Sequence, residues 1–390
     1  MSTFGTTVSA FNDWLNVTRE KRAQGTKEVI NETQMKSYIF GEMIRNRPEG
    51  DLFQPSQGKY WEFRIIGGEQ GGTGWYTPGQ ERDPQRASVT YNGVAPYRFS
   101  EHSYPYTEAD LRFNTQAPTE VQWLNFSYLM RNTLFTTHLN FIERAFWDMP
   151  HFGNMEAGAL SGVASGLPGA AYSIPSLITE DGLVPPANGG TFTAIHGISP
   201  ATYSWWRNPF ATYDTADIEG TLFGAFDSLL TDLQFRTVPG YDQYHENDDL
   251  RKIKICTNKD GKTTFQRLLR EANDHTRAGP QDASYGMPVF EGYPIVYIER
   301  LGDGTNGSAL EQNPIGTYTS VPYPNGRPRF FVLNMKYLLP IFDSSNFFRE
   351  PEPVNAGVRQ RDAFAMFIVT WFNLVIRSRR RGGGIIRPSA

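Results

Sequence analysis

The chain has 390 residues and a formal net charge of -4, with 39% hydrophobic, 20% charged and 14% aromatic residues, 37 glycines and 26 prolines. Its size allows two or three structural units with substantial cores, and its mild acidity excludes an overall electrostatic nucleic-acid binder. A single cysteine, Cys256, excludes an intrachain disulfide framework and a multi-cysteine zinc site.

High aromatic, glycine and proline content together point to a β- and loop-rich architecture. No basic leader followed by an apolar stretch opens the chain, and the longest apolar run, residues 363–376, is too short to cross a bilayer. A soluble protein is expected.

Residues 1–50 are expected to form an arm. Phe11, Trp14, Leu15 and Val17 give a short amphipathic pattern. A second helical stretch runs through Val29, Ile30, Met35, Tyr38, Ile39 and Met43 and ends at Pro48-Glu49-Gly50. The arm has too few apolar residues for a core of its own and must lie on something else.

Residues 51–105 read as an extended β-hairpin. Residues 60–66 form one strand and residues 87–94 its return partner, joined by about twenty glycine-rich residues that are short of aliphatics. Loops of that length are uncommon in compact domains and tend to be functional. Trp75, Tyr76, Arg82 and Arg86 are offered to a partner near its tip. The other reading of this segment is a lid over an active site.

A long helix follows. Ala117-Pro118-Thr119-Glu120 is a start signal, and no further proline or glycine occurs before Pro150. A helix over residues 118–148 would reach ~45 Å and serve as a spine. Residues 151–200 are rich in small residues and read as a connector.

Residues 198–209 hold two of the eight tryptophans, Trp205 and Trp206, beside Tyr203 and Arg207. Large amphipathic rings with a forked donor suit a contact surface, and adjacent tryptophans equally suit a plug at the edge of a core. Helices are expected over residues 217–235 and 264–272. Strands are expected over 251–256, 329–334 and 363–377, with a strand-turn-strand over 287–298. Strands and helices fall into separate runs, which makes the class α+β.

Catalytic signatures are absent. Asp260-Gly261-Lys262-Thr263 resembles the end of a phosphate loop, yet Cys256 stands where the first glycine is required. The six histidines lack metal-ligand spacing, and Asp242, Glu246, Asp248 and Asp249 read as a solvated loop. No enzymatic activity, cofactor or metal is expected. Arginine outnumbers lysine 28 to 9, a bias that suits interfaces, where planar bidentate contacts are favoured.

The order of these features resembles the tailed-bacteriophage major capsid proteins of the Hong Kong 97-type fold. The match rests on the helical arm, the extended loop and the spine helix. It also rests on Gly197-Ile198-Ser199-Pro200 leading to Tyr203-Ser204-Trp205-Trp206-Arg207-Asn208, on Phe290-Glu291-Gly292-Tyr293-Pro294, and on the closing Trp371-Phe372-Asn373-Leu374-Val375-Ile376-Arg377-Ser378-Arg379-Arg380.

The resemblance implies a chain of five parts: an N-terminal arm (1–50), an extended loop (51–105), a peripheral domain with the spine helix (106–210), an axial domain (211–325), and the return strands of the peripheral domain with the C-terminus (326–390). It implies hexamers and pentamers of an icosahedral shell around double-stranded DNA, held without sequence specificity. A separate scaffolding protein, a portal and a cement or decoration protein would be partners, with no membrane involved. The place of action would be the virion, after assembly in the host cytoplasm. Candidate subunit contacts are Trp75, Tyr76, Arg82, Arg86, Trp205, Trp206, Arg207, Arg379 and Arg380. Two other readings stand beside it: an encapsulin-type compartment shell, and a carbohydrate-binding or carbohydrate-active protein.

Overall fold

The structure is a computed structural model that describes residues 38–45, 53–54, 60–67, 90–107, 126–147, 171–183, 194–233, 253–273, 288–298, 301, 328–351, 354–355 and 363–389. In chain order its first elements are α1 (Tyr38–Arg45), β1 (Phe53–Gln54), β2 (Tyr60–Ile66), β3 (Thr90–Pro96), β4 (Arg98–Thr107), α2 (Phe126–Trp147) and α3 (Ile174–Leu177). A 3-10 turn (Ser204–Trp206) leads to β5 (Phe210–Tyr213), α4 (Ile218–Leu233), β6 (Ile253–Thr257) and α5 (Lys259–Asn273). The remainder is β7 (Val289–Phe290), β8 (Tyr293–Tyr297), β9 (Phe330–Asn334), β10 (Leu338–Asp343), β11 (Val354–Asn355), β12 (Ala363–Ile376), α6 (Arg379–Gly382) and β13 (Gly383–Pro388).

Among the described residues the strands form two large sheets and a separate hairpin. In the first sheet β12 is central. Its first ten residues pair antiparallel with β4, from Ala363 opposite Thr107 to Phe372 opposite Arg98. Its last five pair antiparallel with β10, which in turn carries β1 in parallel. In the second sheet the order is β5-β13-β9-β6-β8-β7.

Helix α2 lays one stripe on the first sheet, with Leu134, His138, Ile142 and Phe146 recurring every four residues and all buried. Phe372 meets Phe146 edge-on at 5.9 Å. Residues 118–125 of the expected spine helix lie outside the described residues.

Helix α1, the described part of the expected arm, has no core of its own. Ile39, Phe40 and Met43 are buried with α2 and β10, and Phe40 meets Phe342 at 5.7 Å. Its N-terminal amides are capped from outside the helix. The buried Glu143 carboxylate on α2 accepts from Ile39 N (3.2 Å), Phe40 N (2.8 Å) and Trp147 Nε1 (3.1 Å). An anion at the positive end of a helix that also satisfies two otherwise orphaned donors anchors it firmly. Glu143→Gln, which puts an amide N–H among these donors, is expected to lower stability by about 2 kcal/mol. It should also make the arm protease-sensitive before the rest of the chain. An unchanged urea midpoint and cleavage pattern would show that the carboxylate does not hold α1.

The middle of the second sheet is buried on both faces, and its strand β9 is buried at every residue. Residues alternate between two cores. Cys256, Phe331, Leu333, Val296 and Ile385 join the core under α1, α2 and α3. Ile253, Ile255, Phe330, Val332, Ile295 and Ile386 face α4 and α5. Trp147 at the end of α2 touches Phe331 at 5.9 Å, so the first core runs on from one sheet to the next.

Several elements differ from the sequence reading. The expected connector 151–200 contributes buried Ile174, Leu177, Ile178, Ile195 and Ile198, so its described parts are core elements rather than linkers. Helix α5 starts at Lys259, five residues before its expected start, because the Asn258 side chain caps it by accepting from Gly261 N at 2.8 Å. The block 326–390 is divided between the sheets. β10 and β12 stay in the first, while β9 and β13 pair with each other and with β6 and β5 of the second. The turn at 335–337 and the α6 connection at 377–382, where the two transfers occur, lie side by side, with Arg377 N donating to Tyr337 O at 2.8 Å.

Candidate functional site: the root of the hairpin

Strands β2 and β3 pair antiparallel, from Tyr60 opposite Pro96 to Ile66 opposite Thr90; β2 covers the expected 60–66, while β3 runs to Pro96, two residues past the expected return strand 87–94, of which 87–89 lie outside the described residues. The segment between them lies outside the described residues, and with it Trp75, Tyr76, Arg82 and Arg86. The root of the hairpin is described, and the Tyr203–Asn208 stretch packs against it. Phe63, Ala95 and Tyr97 form one cluster with Ile198, Trp206, Ile341 and Val375, joined by Trp61, Ile65, Tyr91, Tyr203 and Trp205.

The two tryptophans divide the work. Trp206 is 1% exposed, and its Nε1 donates to Ile195 O at 3.2 Å. Trp205 is half-buried and holds the hairpin, its ring 5.0 Å from that of Tyr91. Tyr203 adds an edge-on contact to Tyr91 at 4.8 Å. A Cβ at position 67 would overlap the Trp205 ring, so the strand end lies against the indole only because Gly67 has none. Arg207 is exposed and folds back on its own loop, with Nε donating to Pro200 O at 2.9 Å.

Behind the plug sits a residue that the sequence reading passed over. His196 and Gly197 occupy a two-residue turn closed by the Ile195 and Ile198 bridge, with φ of 54° and 79°. That is the signature of a type I′ turn, in which His is an uncommon first residue. The His196 carbonyl accepts from Val94 N of β3 at 3.0 Å. Its Nε2 accepts from Ile376 N, at the end of β12, at 3.3 Å. Burial first, and Arg379 second, hold its imidazole down from 6.5 to about 3. A second buried imidazole, His138, lies 2.9 Å from Thr370 Oγ1 and is held down to about 4 by burial, with His102 second. Both are neutral at physiological pH.

Of the two C-terminal arginine candidates, one lies inside the fold. Arg379 is fully buried, so its guanidinium serves the chain's own interior rather than a surface. It donates to Leu177 O (2.9 Å), Leu183 O (2.9 Å), Trp206 O (3.1 Å) and Asn208 Oδ1 (2.6 Å), with Thr179 Oγ1 at 3.3 Å. Burial pulls it down from 12.5 to about 9, opposed by Asp181, so it stays charged at neutral pH. Arg380 is exposed, and Arg381 donates to the Tyr337 hydroxyl at 2.8 Å. The structure therefore gathers Trp205, Trp206 and Arg379 at one junction, with Arg207 on its rim. Asn208, Thr179 and His196 complete it; Asn208 and His196 lie within ten residues of the tryptophans, whereas Thr179, 26 residues before Trp205, carried no sequence signal.

This junction joins the hairpin root to Ile198, Trp206, Ile341 and Val375 in one packed cluster. Its guanidinium, amide and hydroxyl groups bond inward to one another and to backbone, while His196 Nδ1 is buried without a hydrogen-bond partner. Among the described residues no group of three or more His, Cys, Asp or Glu is placed to hold a metal ion, and no helix is long and apolar enough to cross a membrane.

No family model matches the chain, and no curated protein matches it in sequence. Solved structures do match it along most of its length. It is similar to a chain of the cyanophage A-1(L) capsid asymmetric unit, at 12% identity and a TM-score of 0.54, with 93% of this chain and 95% of that chain covered. It is similar to a chain of the capsid of a native GTA particle, at 10% identity and a TM-score of 0.51, covering 93% and 92%. A third is the asymmetric unit of the bacteriophage PhiM1 mature capsid, at 12% identity and a TM-score of 0.50, covering 93% and 90%. At such identities the likeness is one of fold, and the fold is that of phage capsid chains.

Proposed function

We propose that this chain, which carries the fold of phage capsid proteins, is a major capsid protein that assembles with copies of itself into a closed shell. The observation that carries the reading is the coverage. The likeness spans 93% of this chain and 95% of the A-1(L) chain, so a whole subunit and not a shared module is being matched. The root of the hairpin agrees with it, because the chain holds β2 and β3 at their base with an aromatic plug of its own; in this reading Trp75, Tyr76, Arg82 and Arg86 serve a neighbouring copy.

In the finer reading the shell consists of hexamers and pentamers around double-stranded DNA, with a separate scaffolding protein, a portal and a cement protein as partners. The extended loop overlies a neighbouring copy, and residues 211–325 lie near the capsomer centre. Each subunit touches several neighbours, so modest contacts suffice: linkage multiplies weak affinities, and stronger ones would trap misassembled pieces.

Deleting residues 68–86 separates this role from folding. The variant is expected to keep the wild-type circular dichroism spectrum and thermal midpoint within a few degrees, and to form no closed shells by negative-stain microscopy. Intact shells from the variant would overturn the role of the loop. Wild-type protein that gives only monomers and small oligomers under every assembly condition would overturn the shell itself.

A further inference from the structure

We propose that the His196-Gly197 turn is a proton-sensitive pin that holds the root of the β2–β3 hairpin to the end of β12, so that mild acid frees the hairpin while both cores stay folded. The inference goes beyond the shell reading and does not depend on it.

The pin stands on geometry. The turn touches three elements at once: its carbonyl holds Val94 of β3, its imidazole holds Ile376 of β12, and the carbonyl of Ile195 holds the Trp206 indole. Ile195 belongs to the large core and Ile198 to the hairpin-root cluster, so the turn bridges the two. Local backbone energy favours Asn or Asp at the first position of such a turn. The ring contacts account for histidine. The imidazole lies edge-on to Phe63 at 5.6 Å and to Tyr172 at 4.7 Å.

Because Nε2 accepts from Ile376 N, the ring proton sits on Nδ1, which is buried without a hydrogen-bond partner. A second proton has to enter at Nε2. It would turn the acceptor into a donor facing the Ile376 N–H and place a cation beside Arg379. The titratable and charged groups around the ring are the Tyr172 phenol from residues 171–183 and the Arg379 guanidinium from α6. β2 and β12 present the Phe63 ring and the backbone of Ile376, and β3 presents the backbone of Val94, which favours the charged ring but is outweighed by burial and Arg379. None of these is a carboxylate that could receive the charge.

The sign follows from linkage. The closed root holds the imidazole near 3, and a released root lets it titrate near 6.5. Closure is therefore fully favoured above 6.5 and progressively lost as pH falls toward 3. Between pH 7.5 and 5 the opening equilibrium rises roughly 30-fold.

Amide hydrogen exchange on the full-length chain tests this, comparing Val94 and Ile376 with Ile255 and Val332 in the second sheet. After correction for intrinsic rates, protection at Val94 and Ile376 is expected to fall about 30-fold from pH 7.5 to 5. The reference amides should change by less than about threefold. His196→Asn, which suits the turn and does not titrate, is expected to abolish the difference. Parallel behaviour of the two amide sets, or a full pH response in His196→Asn, overturns the pin. Should the variant fail to fold, the wild-type imidazole decides: titration near 6.5 in the folded chain, read by NMR, sinks the proposal. These readouts concern the hairpin root, so failure to form shells leaves them interpretable.

Discussion

Arg379→Met is expected to leave no cooperatively folded subunit, or one weakened by about 4 kcal/mol or more. The side chain is fully buried, and its donors serve four backbone carbonyls, three from residues 171–183 and one from Trp206, together with the Asn208 and Thr179 side chains. Methionine fills much of the volume but satisfies none of these acceptors, and each buried acceptor left unpaired costs about 1–3 kcal/mol. Against a total stability of about 5–15 kcal/mol the loss is decisive. Lysine keeps the charge but offers three donors from one point in place of a planar fork, so Arg379→Lys is expected to lose about 3 kcal/mol. Arg380→Met, at the exposed neighbouring position, should change stability by less than about 0.5 kcal/mol. Urea denaturation of the three variants is the check. An Arg379→Met midpoint close to wild type would remove the hub.

Trp206→Ala is expected to cost about 3–5 kcal/mol, because it empties a nearly inaccessible site and removes one of the two donors to the Ile195 carbonyl, leaving Ile198 N. The damage should be local first. Phe63, Ala95 and Tyr97 of the hairpin root lose the surface they pack on, so residues 60–96 should become protease-sensitive ahead of the second sheet. Trp205→Ala removes a half-buried ring whose partners are Tyr91, Tyr203, Gly67 and the edge-on Trp206 ring, and should cost about 1–2 kcal/mol. Thermal unfolding with limited proteolysis separates the cases. Equal losses at 205 and 206 would show that burial does not set their roles.

The legible parts of the fold were those written in local periodicity. Helix α4 buries Leu222, Ala225, Phe226, Leu229, Leu230 and Leu233, a 3.6-residue stripe visible in the chain itself. The hairpin strands and the Phe290-Glu291-Gly292-Tyr293 turn were equally visible, the latter because Gly292 takes a φ of 86° between two short apolar runs. Strands β4, β10 and β13 were not. β4 carries polar residues and Pro105 and is a strand because ten residues of β12 pair with it. β10 contains Pro340 and lies between β1 and β12. β13 opens with Gly383-Gly384, which reads as a loop. A Cβ at either position would collide with Ile178 or Leu229, so the glycines are there for close approach.

The sequence by itself determined the class, the order of the elements that carry a local periodicity, the need of the arm for a surface to lie on, and the resemblance to capsid subunits. Each is a property of neighbouring residues or of their order along the chain. Only the tertiary structure decided what the Tyr203–Asn208 stretch attaches, and which arginine of Arg379-Arg380-Arg381 is interior. Those three side chains are chemically identical. What separates them is a pocket of carbonyls and amides lying 171 to 202 residues away in sequence, and contacts at that separation leave no periodic trace in the chain.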